Sequence, residues 1–183
     1  EHMTRFQQGR LLVFKGTSFI YAGQYQEALV TLIQSENLVQ NSDYLFSAYS
    51  YEATAYIALR NFKDAFVVMS KSLGLIDRIE NIDIKRAAYL RLASLYSAMG
   101  IKEEVGSYAA KAESLASADD VKDICTAKLY LSVYQLELEA FTKAFDEFQY
   151  THDFFESNGF PLISFIALKG MGESKLRLQE YSA

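Results

Sequence analysis

Tryptophan is absent from this 183-residue chain, proline and cysteine occur once each, and histidine occurs twice. With only nine glycines beside the one proline, turn chemistry is too sparse for an all-β protein, whose strands need punctuation about every eight to twelve residues. The lone cysteine, Cys125, makes no internal disulfide and has no thiol or histidine at metal-ligand spacing, so it reads as a small buried helix residue. No apolar run approaches the ~18 residues that span a bilayer, so this segment is not expected to insert in a membrane. No signal-peptide pattern opens the chain, and Glu1, His2 and Met3 read as a cloning remnant ahead of a single repeat domain over 4–183.

Chemical signatures are missing as well. There is no GxGxxG and no GxxxxGK[ST], and Lys169-Gly170-Met171-Gly172 lies inside a helical period, which makes its glycines packing positions. His152 stands alone, so no metal is expected. Asp119, Asp120 and Asp123 gather where a helix begins and read as capping residues. The carboxylate pairs Glu103 and Glu104, and Asp146 and Glu147, are expected on the solvated outer face of second helices. Nothing converges on a reactive group, so neither catalysis nor a cofactor is expected. The net charge of -5 comes from signs mixed along the whole length, which offers no cationic track for nucleic acid. The nearest approach to a basic patch is Arg78, Lys85, Arg86 and Arg91, read as a solvated face.

Half of the residues are apolar, with 13 tyrosines and 13 phenylalanines, enough to bury roughly 70% of the unfolded chain's surface. They recur with a period. Aligned on the turns GQYQEA, RNFKDA, GIKEEV, EAFTKA and QEYSA, the turn residue is Tyr25, Phe62, Lys102, Phe141 and Tyr181, at separations of 37, 40, 39 and 40. Nine residues upstream of each stands a small one, namely Gly16, Ala53, Ala93, Ser132 and Gly172. At this composition five small residues in one column arise by chance about once in a thousand registers. A small side chain on one helix lets a second helix approach closely. A second column, Ala28, Ala65, Val105 and Ala144, follows each turn, and a third, Phe19, Tyr56, Tyr96 and Gln135, fills the gap between hairpins in three cases out of four; Lys102, Val105 and Gln135 are off-pattern.

These columns resemble the tetratricopeptide repeat, which pairs a small residue and an aromatic on its first helix with an alanine past the turn. The period of about 40 residues instead of about 34 matches its long-helix subclass. The resemblance implies an all-α fold: a right-handed α-solenoid of antiparallel helix hairpins, with about nine helices in about four and a half repeats. The predicted helices cover 5–22, 25–40, 43–60, 62–79, 83–99, 102–117, 120–138, 141–157 and 161–178. Asn158-Gly159 supplies a left-handed stop, Pro161 opens the ninth helix, Ser42 or Asp43 caps the third and Asp119 or Asp120 the seventh. Ala183 falls just short of a fifth post-turn alanine, so the chain is expected to stop inside a repeat. Phe165, Met171, Leu176 and Leu178 of the ninth helix would then seek another partner, and self-association through that helix is expected.

In such a stack the first helices line a concave groove. Its candidate residues are Thr17, Tyr21, Ser50, Tyr51, Thr54, Arg91, Ser94, Ser97, Tyr130, Val133, Glu137, Lys169, Glu173 and Arg177. Hydroxyls and tyrosines suit an extended protein or peptide ligand, or a neutral small molecule. Chaperone-docking repeats clamp a terminal carboxylate with lysine, asparagine and arginine; Val13, Thr17, Ser50, Thr54, Leu90 and Ser94 occupy the comparable places, so that function is not expected. The runs DAFVVMSKSLGLID, LASLYSAMGIKEEVGSYAAKAESLA and PLISFIALKGMGES look like the helical repeats that precede GGDEF-type diguanylate cyclase domains. That likeness implies a sensor segment of a bacterial signalling protein, in the periplasm. The alternatives are the cytoplasmic peptide-sensing half of a transcriptional regulator and a scaffold subunit of an assembly.

Overall fold

The computed structural model describes residues 3–180. Among them the chain is all helical, with α1 Arg5–Tyr21, α2 Tyr25–Glu36, α3 Ser42–Ala58, α4 Phe62–Ile76, α5 Ile82–Ala98, α6 Lys102–Ser114, α7 Val121–Glu137, α8 Phe141–Ser157 and α9 Pro161–Glu180. The all-α expectation therefore holds, and so does the opening of α9 on Pro161. Three second helices end earlier than expected, α2 at residue 36 rather than 40, α4 at 76 rather than 79 and α6 at 114 rather than 117. Val39 and Ile79 lie past their helix ends and are still buried, 2% and 1% exposed. The apolar pattern thus outlasts the helix because the turn also packs. The cap of α3 is Asn41, whose side chain accepts from the Asp43 and Tyr44 amides, and not Ser42 or Asp43. Asp120 sits at the cap of α7 but its carboxylate accepts instead from the amide and hydroxyl of Ser117.

The chain divides into two compact units, Glu1–Met99 and Gly100–Ala183. In the first, α1 packs on α2 and α3, and α3 on α2, α4 and α5. Its core joins Val13, Ile20, Leu29, Leu32, Val39, Ala48 and Ala55. The second unit packs α6 on α7, α7 on α8, and α9 on both α7 and α8, around Leu129, Ala144, Phe148 and Ala167.

The small-residue column serves close approach where it can be followed. Gly16 is buried with the Leu32 side chain against it, 2.5 Å from where a Cβ would stand, and Ala53, Ala93 and Ser132 are wholly buried. Gly172 departs from the column: its Cβ position is open, while Gly170 meets the Phe148 ring at 2.4 Å. The turn residue expected nine positions after Gly172, Tyr181, lies outside the described residues. The second column is buried throughout, since Ala28, Ala65, Val105 and Ala144 have no exposed surface.

One backbone joint recurs. After α1 the Gln24 amide donates to the Phe19 carbonyl at 2.9 Å and the Gly23 amide to Ile20 at 3.0 Å. After α3 the pair is Asn61 to Tyr56 and Arg60 to Ile57; after α7, Ala140 to Gln135 and Glu139 to Leu136; after α8, Phe160 to Phe155 and Gly159 to Glu156. This double bond pattern needs a left-handed residue. Gly23 (φ 73°), Gly100 (φ 74°) and Gly159 (φ 74°) supply it freely, whereas Arg60 (φ 58°) and Glu139 (φ 57°) carry a Cβ there.

Candidate functional site

Helical spacing puts Arg10, Phe14, Thr17 and Tyr21 on one stripe of α1, and Tyr44, Ser47, Tyr51 and Thr54 on one stripe of α3. Because α1, α3 and α5 lie side by side in the first unit, these stripes meet. The Tyr21 and Tyr51 rings stand 6.5 Å apart at 67°. The Arg91 guanidinium lies over the Tyr51 ring at 4.3 Å and donates to the Thr54 hydroxyl at 3.1 Å. Burial, reinforced by a hydrogen bond with Tyr21, pushes the Tyr51 phenol above its usual value, against opposing pulls from Arg91 and Thr17. Five residues expected in the groove, Thr17, Tyr21, Tyr51, Thr54 and Arg91, are thus brought together. Ser50 is buried behind them, its hydroxyl donating to the Ser47 carbonyl, and it lines with Ser47, Tyr51, Ala88 and Arg91 a hollow of about 210 Å³ between α3 and α5. Ser94 and Ser97 follow along α5, both half-buried.

A second aromatic and cationic group lies lower on the same stripes. Arg10 stacks over Tyr44 at 5.0 Å and over Phe6 at 5.8 Å, and Phe14 meets the edge of Tyr44 with ring centroids 6.5 Å apart. Sequence reasoning passed over these residues. The signal was present, since Arg10 and Phe14 precede Thr17 at helical spacing. Of the expected basic patch, Arg86 is buried and paired with Asp83 at 3.0 Å and Arg91 is stacked on Tyr51, so no solvated patch forms from the four.

In the second unit the candidates scatter more. Glu137, Glu173 and Arg177 line a hollow of about 180 Å³ together with Leu136, Glu139 and Phe141. Lys102 donates to Glu137, and Arg177 pairs with Glu180 at 3.5 Å. Lys169 is exposed and Tyr130 half-buried. Val133 packs against the core of Leu129, Ala144, Phe148 and Ala167, so its side chain serves the interior first. The off-pattern residues of the repeat have local compensation here: Lys102 pairs with Glu137, and Gln135 donates to Glu147 at 2.9 Å. Glu147 is accordingly half-buried against α7 and does not sit on the solvated outer face expected of it.

Two polar clusters were not read from the sequence. Glu52 on α3 is 1% exposed, with one carboxyl oxygen lacking a partner. Burial, with Glu36 beside it, pushes its carboxyl from the ordinary 4.5 up to about 8, despite the nearby Lys71. Glu36 acts on it both through its charge and through side-chain hydrogen bonding, each favouring the protonated form of Glu52. Lys71 in turn pairs with Glu36 at 3.3 Å and lies over the Tyr49 ring at 5.0 Å. Burial followed by Glu36 pushes the Tyr49 phenol up to about 12. The position offers one sequence signal: Glu52 precedes the small Ala53 where Leu92 precedes Ala93 in the next repeat.

The other cluster joins Ser164, 2% exposed, to His152 Nδ1 at 2.9 Å and to Glu156 at 2.7 Å. Nucleophile activation needs the imidazole between hydroxyl and carboxylate. Here the serine is in the middle and is buried, so the group ties α8 to α9. Among the described residues no group of three or more side chains could hold a metal ion, and no helix is long and apolar enough to cross a membrane. No protein-family model matches the chain, and no curated protein matches it.

Proposed function

We propose that this chain is a non-enzymatic recognition module of the tetratricopeptide kind, which receives a protein or peptide segment across the first helices α1, α3 and α5. The observation that carries the reading is the meeting of Tyr21, Tyr51, Thr54 and Arg91 from three separate helices on one face. Rigid aromatic rings and a guanidinium held in place give contact area and directed donors at low entropic cost, which is how recognition surfaces concentrate their affinity. Tyr51→Ala should weaken peptide capture by at least about ten-fold, since such anchors contribute about 2 kcal/mol or more. Titration of a random peptide library displayed on phage against the parent and the variant tests this. Equal enrichment on both, with unchanged circular dichroism, refutes the groove.

Within a cell we place the module as the sensory or partner-docking segment of a larger bacterial signalling protein, a GGDEF diguanylate cyclase being the first candidate on the strength of the three sequence runs. A GGDEF motif and a hydrophobic span downstream in the full gene support that setting, and a helix-turn-helix upstream of Thr4 supports a transcriptional regulator in its place. Self-association through α9 fits the exposure of Leu162, Phe165, Ile166, Leu168 and Leu176. Met171, by contrast, packs against the core of its own unit. Light scattering that shows a strict monomer at high concentration refutes that association.

A further inference from the structure

The groove of the first unit carries two guanidinium groups in the same arrangement. Arg10 reaches from α1 over Tyr44, at 5.0 Å, and Arg91 reaches from α5 over Tyr51, at 4.3 Å. Both side chains therefore converge on α3 from opposite sides. Tyr44 and Tyr51 are two helical turns apart on one stripe, which places the two guanidinium groups on the order of 10–15 Å from one another along the groove. Both arginines are half-buried, and among the described residues neither has a carboxylate within ion-pair distance. In a chain of net charge -5, two cations held without counter-charges on one face are a local reversal of sign. Stacking fixes each planar fork, so its outward N–H groups stay available for a bidentate acceptor.

Resting on the peptide-groove reading, we infer that this face selects an extended peptide with two acidic side chains, one carboxylate on Arg10 and the other on Arg91. An extended chain advances about 3.3–3.6 Å per residue, so acidic residues about three or four positions apart span the gap. The exposed rings of Phe14 and Tyr21 border the track between them and favour an apolar or aromatic residue in the middle of the segment. Asp43 is the one carboxylate lining the hollow between α3 and α5. It lies about two turns below Tyr51 on the α5 side, and its charge directs the second acidic residue toward α1 and Arg10. A single nucleic-acid strand fits less well, because the stacking faces it would need on Tyr44 and Tyr51 are already covered by guanidinium groups.

The test is fluorescence anisotropy on the full chain with labelled, acetylated and amidated peptides. One peptide carries two glutamates about three residues apart around a tyrosine; others have the glutamates adjacent, replaced by glutamine, or replaced by lysine. A free-carboxylate version and a labelled oligothymidine complete the set. The spaced diacidic peptide should bind at least about ten-fold tighter than the others, with affinity falling steeply with salt. Arg10→Gln and Arg91→Gln should each remove that preference, and Arg10, half-buried between the exposed rings of Phe6 and Phe14, should be replaced without loss of helicity. If the glutamine peptide binds as well as the diacidic one and Tyr51→Ala weakens both, the groove reading stands and the acidic selectivity is wrong. If only the free chain end matters, the side-chain assignment is wrong. Oligothymidine as the tightest ligand overturns the inference in favour of nucleic acid, and a lack of binding by every peptide, together with no library enrichment, removes the groove reading itself.

Discussion

Replacing Glu52 by glutamine should stabilise the first unit at neutral pH, and the size of the effect follows from the proton this carboxyl keeps. Folding raises its titration from the ordinary 4.5 to about 8. Below pH 4.5 both the folded and the unfolded chain hold the proton, and the contribution to stability is intact. Between these values the unfolded chain ionises while the folded one does not, so stability falls as pH rises, by about 1.4 kcal/mol for each pH unit. At pH 7 the accumulated loss is about 3 kcal/mol, and above about pH 8 it levels off because both states are charged. An amide of the same shape still donates to Glu36 and never ionises. Urea denaturation of Glu52→Gln should therefore give an unfolding free energy about 3 kcal/mol above the parent at pH 7 and close to it at pH 4. The slope between pH 5 and 8 should flatten correspondingly. A variant that is less stable at pH 7, or that keeps the parent's slope, would show that Glu52 is ionised in the folded chain and that Lys71 outweighs burial.

The glycines of α9 offer a paired test by thermal denaturation. Gly170→Ala puts a methyl against the buried Phe148 ring and should destabilise by about 1–3 kcal/mol, whereas Gly172→Ala enters open space and should stabilise by about 0.5–1 kcal/mol through helix propensity. Equal effects at both positions would mean that α9 is rotated from the orientation described. At the hairpin turns, Arg60→Gly and Glu139→Gly relieve a Cβ at positive φ. Each should raise stability by up to about 1 kcal/mol after the cost of a freer unfolded chain, and a fall in either thermal midpoint would argue against a left-handed conformation there.

Much of this molecule is legible in its sequence because the repeat is enforced by sterics. A small residue every forty or so positions, and an alanine three residues past each turn, are demanded by helices in close contact, and Gly16, Ala53, Ala65 and Ala144 report that demand directly. α2 and α4 end short of their apolar patterns because Val39 and Ile79 continue those patterns into packed turns. Gly170 and not Gly172 faces a ring, a choice that helical spacing alone does not make. The meeting of Thr17, Tyr21, Tyr51, Thr54 and Arg91 could be anticipated because neighbouring first helices bring equivalent positions side by side. The stacking of Arg10 and Arg91 on tyrosines, and the pairing of Glu52 with Glu36, depend on side-chain reach across helices far apart in sequence, which no local pattern encodes.

The left-handed joint that closes α1, α3, α7 and α8 bears on how such a chain could lengthen or shorten. Its defining bonds run between main-chain atoms, at residues 19–24, 56–61, 135–140 and 155–160, and arginine or glutamate can stand in the glycine's place. A segment copied from one corner to the next would arrive with both of its exits already aimed correctly, whatever side chains it carried. Gene duplication could then add or remove whole hairpins without first inventing a new bend, leaving the outward stripes free to drift toward different ligands.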